Sequence, residues 1–187
     1  ISATIAVYFG YAFLPRFAGD AIIHLTFMEH AAQGHWFEFN LGTVDPSSTS
    51  PLWTILGAGL WRITGMLGTL YGIKAICTAS WLTTGVLVYL LARHLEVDRL
   101  LAALAATFTL GYPGSIQNSL MGMENATFTA VVLGWLFCLA NLESDADRSH
   151  YYYAAFGAFV GIASFLRPES VLVAPTVAWG AWRVAGD

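Results

Sequence analysis

The stretch LWTILGAGLWRITGMLGTLYGIKAICTASWLTTGVLVYLL, Leu52–Leu91, is an apolar run interrupted by two cations, Arg62 and Lys74. Where this run breaks sets the number of membrane spans. A membrane-spanning helix needs about 20 mostly apolar residues, and Leu70–Leu91 meets that length. Leu52–Met66 contains Arg62 together with Gly57, Gly59 and Gly65, a poor composition for a helix facing lipid. It is expected to form an interfacial or re-entrant helix, residues 52–66, rather than a span.

The rest of the chain has the same character. It is 57% hydrophobic and 11% charged, with a mean hydropathy of +0.61, whereas soluble domains have about 25% charged residues. Beside Leu70–Leu91, further spans are expected at Ile1–Phe17, Leu100–Tyr112, Asn125–Leu142, Tyr152–Phe165 and Val171–Trp182. The expected fold class is therefore all-α: a polytopic helical membrane protein of about six transmembrane helices, with interfacial and amphipathic helices on its outer face. Residues 1–187 read as a single transmembrane module, expected to be a piece of a longer chain because Ile1 already lies inside an apolar segment. The net charge of −4 comes with no basic patch, which argues against a nucleic-acid partner. Cys77 and Cys138 lie in apolar runs and read as small core residues.

Orientation follows from the basic residues. Arg93, Arg99, Arg148 and Arg183 fall in segments that are cytoplasmic under the positive-inside rule. The loop 18–50 and the segment 114–123, neither of which has a lysine or arginine, are then outer or periplasmic. Counting Leu52–Met66 as a span would move Arg93 and Arg99 to the outer side. The expected location is a cell membrane, most simply a bacterial inner membrane.

Chemistry concentrates in the outer segments, since ionisable groups at membrane depth are costly and rarely idle. In GDAIIHLTFMEH, Asp20 precedes an apolar run that Gly34 would end, the pattern of a short helix with an acid at its start. Asp20 is either a helix cap or a carboxylate base, with His24 one turn later on the same face. His24, His30 and His35 lack the i, i+4 spacing of a helical zinc pair, so no metal site is expected. Asp145-Ala-Asp147 reads as a solvated turn. Glu124 opens an apolar segment after Gly122-Met123. Arg167-Pro168-Glu169 separates two apolar runs, either as a local ion pair at a hairpin tip or with Arg167 facing a phosphate, which guanidinium binds bidentately.

These pieces, in this order, resemble the GT-C superfamily of glycosyltransferases that use polyprenyl-phosphate-linked sugars, in particular protein-mannosyltransferase-like and arabinofuranosyltransferase-like members. The matching elements are GDAIIH, then QGHWFEFN, then STSPLW, with Gly122-Met123-Glu124-Asn125 and Arg167-Pro168-Glu169 downstream. The resemblance implies inverting transfer of a sugar to an acceptor hydroxyl at the outer face. Asp20 would be the catalytic base, and Arg167 and Lys74 would bind the donor phosphate. Glu124, Glu169, His24, Trp36 and Trp53 would support the site or contact substrate. It implies no cofactor beyond the lipid-linked donor, and as partners the membrane lipids, that donor and other subunits of a larger membrane complex. The chain departs from the pattern where the family carries a second acid beside the first (here Gly19), an aromatic (here Ile22) and a second glycine (here Trp36). Those departures keep an alternative open, a non-catalytic membrane subunit built on the same fold. A transporter would need paired intramembrane charges or repeated broken helices, which are not evident.

Overall fold

The computed structural model describes residues 15–45, 48–142 and 149–173, together with 175 and 182. Helix α1 is Gly19–Ala32, and a short antiparallel hairpin follows, β1 (Glu38–Asn40) and β2 (Thr43–Val44). Helix α2 is Pro51–His94, α3 Arg99–Gly111, α4 Pro113–Leu120, α5 Asn125–Leu142 and α6 Ser149–Leu166. A 3-10 turn over Pro168–Val173 comes next.

Helix α2 organises the rest. Pro51 sits in its first turn, where a missing N–H costs nothing. As one straight rod its 44 residues would reach about 66 Å, roughly twice the hydrocarbon thickness of a bilayer. It is not straight. Gly65 adopts φ 70 and ψ −173, a conformation open essentially only to glycine, and divides α2 into arms 51–64 and 66–94. Among the described residues α2 packs against all five other α-helices. Both arms enter the main core, where Trp53, Ile73 and Cys77 of α2 meet Met28 of α1, Val131 of α5, and Ala163 and Leu166 of α6.

Sequence spacing explains how α1 joins this core. Ala21, His24, Phe27, Met28 and Ala31 recur every three to four residues and form its buried face. Met28 lies against Gly57, whose lack of a side chain admits the Met28 sulfur. At the far end of α1, Arg62 Nε donates to the Ala32 carbonyl at 2.8 Å, satisfying an otherwise orphan acceptor. The hairpin closes over the same end, with His30 Nδ1 donating to the Glu38 carbonyl at 2.7 Å.

The expectation of about six transmembrane helices is corrected here. Among the described residues one helix, Pro51–His94, is long and apolar enough to cross a bilayer. There are two if Pro113–Leu120 and Asn125–Asn141, bent by 108° at their break, count as one span. The reason is length. Helix α3 has 13 residues, about 20 Å of rise against a hydrocarbon core of about 30 Å. The apolar part of α6, Ala154–Leu166, belongs to the same short class. The expected span at Ile1–Phe17 lies outside the described residues up to position 14. Val171–Trp182 lies largely outside them too, beyond a 3-10 turn that reaches Val173. Asp145-Ala-Asp147 also falls outside.

Gly65 gives a direct test. Gly65→Ala forces a side chain onto a glycine-only conformation and is expected to destabilise the fold by about 1–3 kcal/mol. Gly59→Ala, at an open and exposed helical position, is expected to stabilise by about 0.5–1 kcal/mol. Denaturation of the two purified variants in detergent measures both. Equal effects would mean that the break does not depend on Gly65.

Candidate functional site

The site is built around a tight turn, residues 121–124, between α4 and α5. Gly122 has φ +84, and a Cβ there would fall 2.4 Å from the Phe17 ring, so both conformation and space require glycine. The turn is tied to the segment entering α1, where Ala18 N donates to the Met121 carbonyl at 3.0 Å. Its last residue, Glu124, caps α5 with its backbone, its carbonyl accepting from Phe128 N at 2.8 Å. The carboxylate is thereby held at a helix N-terminus, whose dipole favours negative charge.

That carboxylate is 1% exposed. Burying a charge is expensive unless it is paired, and Glu124 meets two partners. Arg167 Nε donates to Oε1 at 2.8 Å, and His24 Nε2 lies 3.4 Å from Oε2. Arg167 is brought there because Pro168 stops α6 after Leu166, and its backbone N–H still bonds to Ala163 at 3.0 Å. His24 projects from the buried face of α1. Burial pushes His24 below its ordinary value of 6.5; Glu124 and then Asp20 oppose this, and Arg167 adds to it. The ring is thus kept neutral more readily than in water.

Asp20 lies one turn before His24, in the exposed first turn of α1. The residue at the cap position is Ala18, and among the described residues the Asp20 side chain makes no hydrogen bond. Of the two readings of Asp20, the capping one is therefore excluded. Asp20, His24, Glu124 and Arg167 come together as a sequence of neighbours, with Asp20 acting on His24 through its charge.

The other candidates are placed differently. Lys74 is buried, donates to the carbonyls of Arg16 and Leu120, and sits 4.1 Å over the Phe17 ring. It also lines a cavity of about 1120 Å³, with Pro15, Arg16 and Phe17 on one wall and Leu67, Leu70, Tyr71 and Leu82 on another. Glu169 is exposed, and the cation two residues before it pairs with Glu124 instead, which corrects the local ion-pair reading of Arg167–Glu169. Trp36 is exposed in the turn after α1. Trp53, expected near substrate, is wholly buried in the core between α1 and α2 and cannot touch one. The three histidines go separate ways, His24 to Glu124, His30 to a carbonyl and His35 to the Glu38 carboxylate at 3.4 Å. Cys77 and Cys138 are free thiols. Sequence reasoning missed a polar pocket lined by Thr84, Thr109, Asn118, Asn125 and Arg167. The available signal was the hydroxyl and amide residues scattered through apolar segments.

No family model, curated protein or solved structure matches the chain.

The direction of the His24 shift sets a pH dependence. Below 6.5 the unfolded chain takes up a proton at this position that the native state resists, so unfolding gains as pH falls. Above 6.5 the contribution vanishes. Wild type is expected to lose stability below pH 6.5 more steeply than His24→Gln, as read from unfolding midpoints across pH. A steeper loss in the variant would reverse the assignment.

Proposed function

We propose that the chain belongs to a membrane glycosyltransferase that moves a sugar from a polyprenyl-phosphate-linked donor to an acceptor hydroxyl, with inversion and with Asp20 as the base. The observation that carries this reading is the state of Asp20. It is an exposed carboxylate without a hydrogen-bond partner among the described residues, set beside a buried His24–Glu124–Arg167 cluster. It is presented to solvent with both oxygens open to an acceptor.

The chemistry is one displacement. The acceptor oxygen forms a bond to the anomeric carbon, the bond from that carbon to the phosphate oxygen breaks, and the phosphate leaves with the electron pair. Asp20 receives the acceptor's proton, which requires it within hydrogen-bond reach of the hydroxyl. Its position in the first turn of α1 sets it beside the positive end of the helix dipole. His24 and Glu124 fix the helix that carries it. The leaving phosphate needs positive charge. Lys74 and Arg16 border the large cavity, whose other walls suit an isoprenoid tail. Arg167 has its Nε engaged by Glu124 and keeps its terminal nitrogens for substrate.

A membrane location is supported by the surface as well as by α2. Leu100, Leu101, Leu104 and Phe108 are all strongly exposed along α3, as are Ile63, Met66, Leu67 and Tyr71 around the α2 break. Apolar surface of that extent belongs against lipid or a partner subunit. In this reading loop 18–50 faces the outer side and Arg93 and Arg99 the cytoplasm.

The test is sugar transfer from a polyprenyl-phosphate donor by the protein in membranes, wild type against Asp20→Asn. The variant keeps the shape and removes the base, and a loss of about 10²–10⁴-fold in turnover is expected. Equal rates would take Asp20 out of the mechanism and leave the non-catalytic subunit as the better reading.

A further inference from the structure

Helix α2 does more than bend at Gly65. A Cβ placed on Gly72 would fall 3.0 Å from the Leu60 side chain, although residues so spaced in a straight helix lie about 18 Å apart. Arm 51–64 therefore folds back along arm 66–94, and Gly65 is the tip of a helical hairpin. The β-hairpin occupies the same end of the molecule, because Arg62 Nε, near the tip, donates to the Ala32 carbonyl at the end of α1. Large apolar side chains crowd this end. Trp36, Phe37, Leu41 and Val44 are exposed along the β-hairpin, and Ile63, Met66 and Leu67 around the tip, with Val44 at 73% and Ile63 at 83%.

We infer that this end is a membrane-surface anchor. The β-hairpin and the Gly65 tip lie in the headgroup layer of a zwitterionic lipid leaflet, with Trp36, Leu41 and Val44 as inserted side chains. The inference rests on the membrane location proposed above and not on catalysis by Asp20.

Length sets the depth. Arm 66–94 rises about 43 Å, and a bilayer with its headgroups measures about 40–45 Å. Its Arg93–His94 end belongs, with Glu96, Asp98 and Arg99, outside the hydrocarbon. The Gly65 tip then reaches the opposite headgroup layer. Tryptophan is enriched at that level, since its ring is apolar and its N–H polar.

Charge decides which lipid. No lysine or arginine lies between Phe17 and Trp61, while Glu29, Glu38 and Asp45 belong to the hairpin and the helix end before it. Arg62 adds one positive charge near the tip. Anionic leaflets attract clusters of lysine and arginine, and here such a leaflet would face a surplus of carboxylates. Zwitterionic headgroups carry no such penalty.

The β-hairpin is also firmly mounted. Phe39 packs against Phe27, with ring centroids 5.7 Å apart. Gly42 N donates to the Glu38 carboxylate at 2.7 Å, and His30 Nδ1 bonds the Glu38 carbonyl at 2.7 Å. Phe37 takes φ 59, a left-handed backbone that is costly for a bulky side chain. Strain and mounting together hold the apolar side chains outward, which scattered surface residues do not require.

Spin labels at Leu41→Cys and Val44→Cys test this in the protein reconstituted into phosphatidylcholine nanodiscs, by collision with oxygen and with a water-soluble nickel chelate. A third label at Val86→Cys, exposed on arm 66–94, reports on the membrane location itself. The native thiols Cys77 and Cys138 are buried and stay unlabelled. The Leu41 and Val44 labels are expected to meet nickel severalfold less often than free label does, while colliding readily with oxygen. Replacing part of the lipid with phosphatidylglycerol is expected to raise nickel access at both. Nickel access equal to that of free label, with Val86 in the bilayer, would overturn the anchor alone. Shielding from both nickel and oxygen would mean a protein cover and would overturn it too. Nickel access that falls in the anionic discs would overturn the assignment to zwitterionic lipid. A Val86 label in water would remove the membrane location and the anchor with it.

Discussion

A carboxylate removed from water needs positive charge and hydrogen-bond donors close at hand, and Glu124 is the point in this chain where that need governs structure. At 1% exposure it holds Arg167 on one oxygen and faces His24 on the other. Those partners come from three segments far apart in sequence: α1, the turn entering α5, and the residue after α6. Removing one member of a buried pair is costed at about 3–5 kcal/mol, because the survivor stays buried and unmatched. The partial exposure of Arg167 places this pair toward the lower end. The arrangement therefore holds three segments in one geometry, and Asp20, one turn from His24, inherits its position from it.

Lys74 does comparable work one layer away. Its ammonium closes on the carbonyls of Leu120 and Arg16, joining α2 to the end of α4 and to the segment that enters α1. Glu124 and Lys74 thus bracket the turn 121–124 from either side, and Gly122 lets Phe17 close over it. Among the described residues the buried charges are concentrated around one turn, with an exposed acid at its edge. That concentration, more than any single residue, singles the region out as the candidate site.

Local features were readable from the sequence. The acid-then-apolar pattern after Gly19 marks the start of α1, and Gly65 falls within the run whose composition argued against a single span. What could not be read was pairing across 43 residues. Gly122-Met123-Glu124 and Arg167-Pro168-Glu169 are each short and unremarkable, and only the packing of α5 on α6 brings them together. The count of spans went astray for a related reason. Hydropathy sums apolar residues without seeing where Gly111, Pro113 and Gly122 break them, so Leu100–Leu142 reads as two spans where the chain makes a short helix and a sharply bent pair. Trp53 misled because a tryptophan near a polar turn looks like a substrate wall, whereas the approach of Met28 to Gly57 seals that region as core.

If the Glu124–Arg167 pair assembles the site, the two side chains must depend on each other energetically. A double-mutant cycle of Glu124→Gln and Arg167→Gln, read as unfolding free energy in detergent, tests it most directly. Coupling of about 1–3 kcal/mol is expected, the double variant being less damaged than the two single losses added together. Additive losses would mean that the two side chains do not depend on each other, and that the site is held by something else.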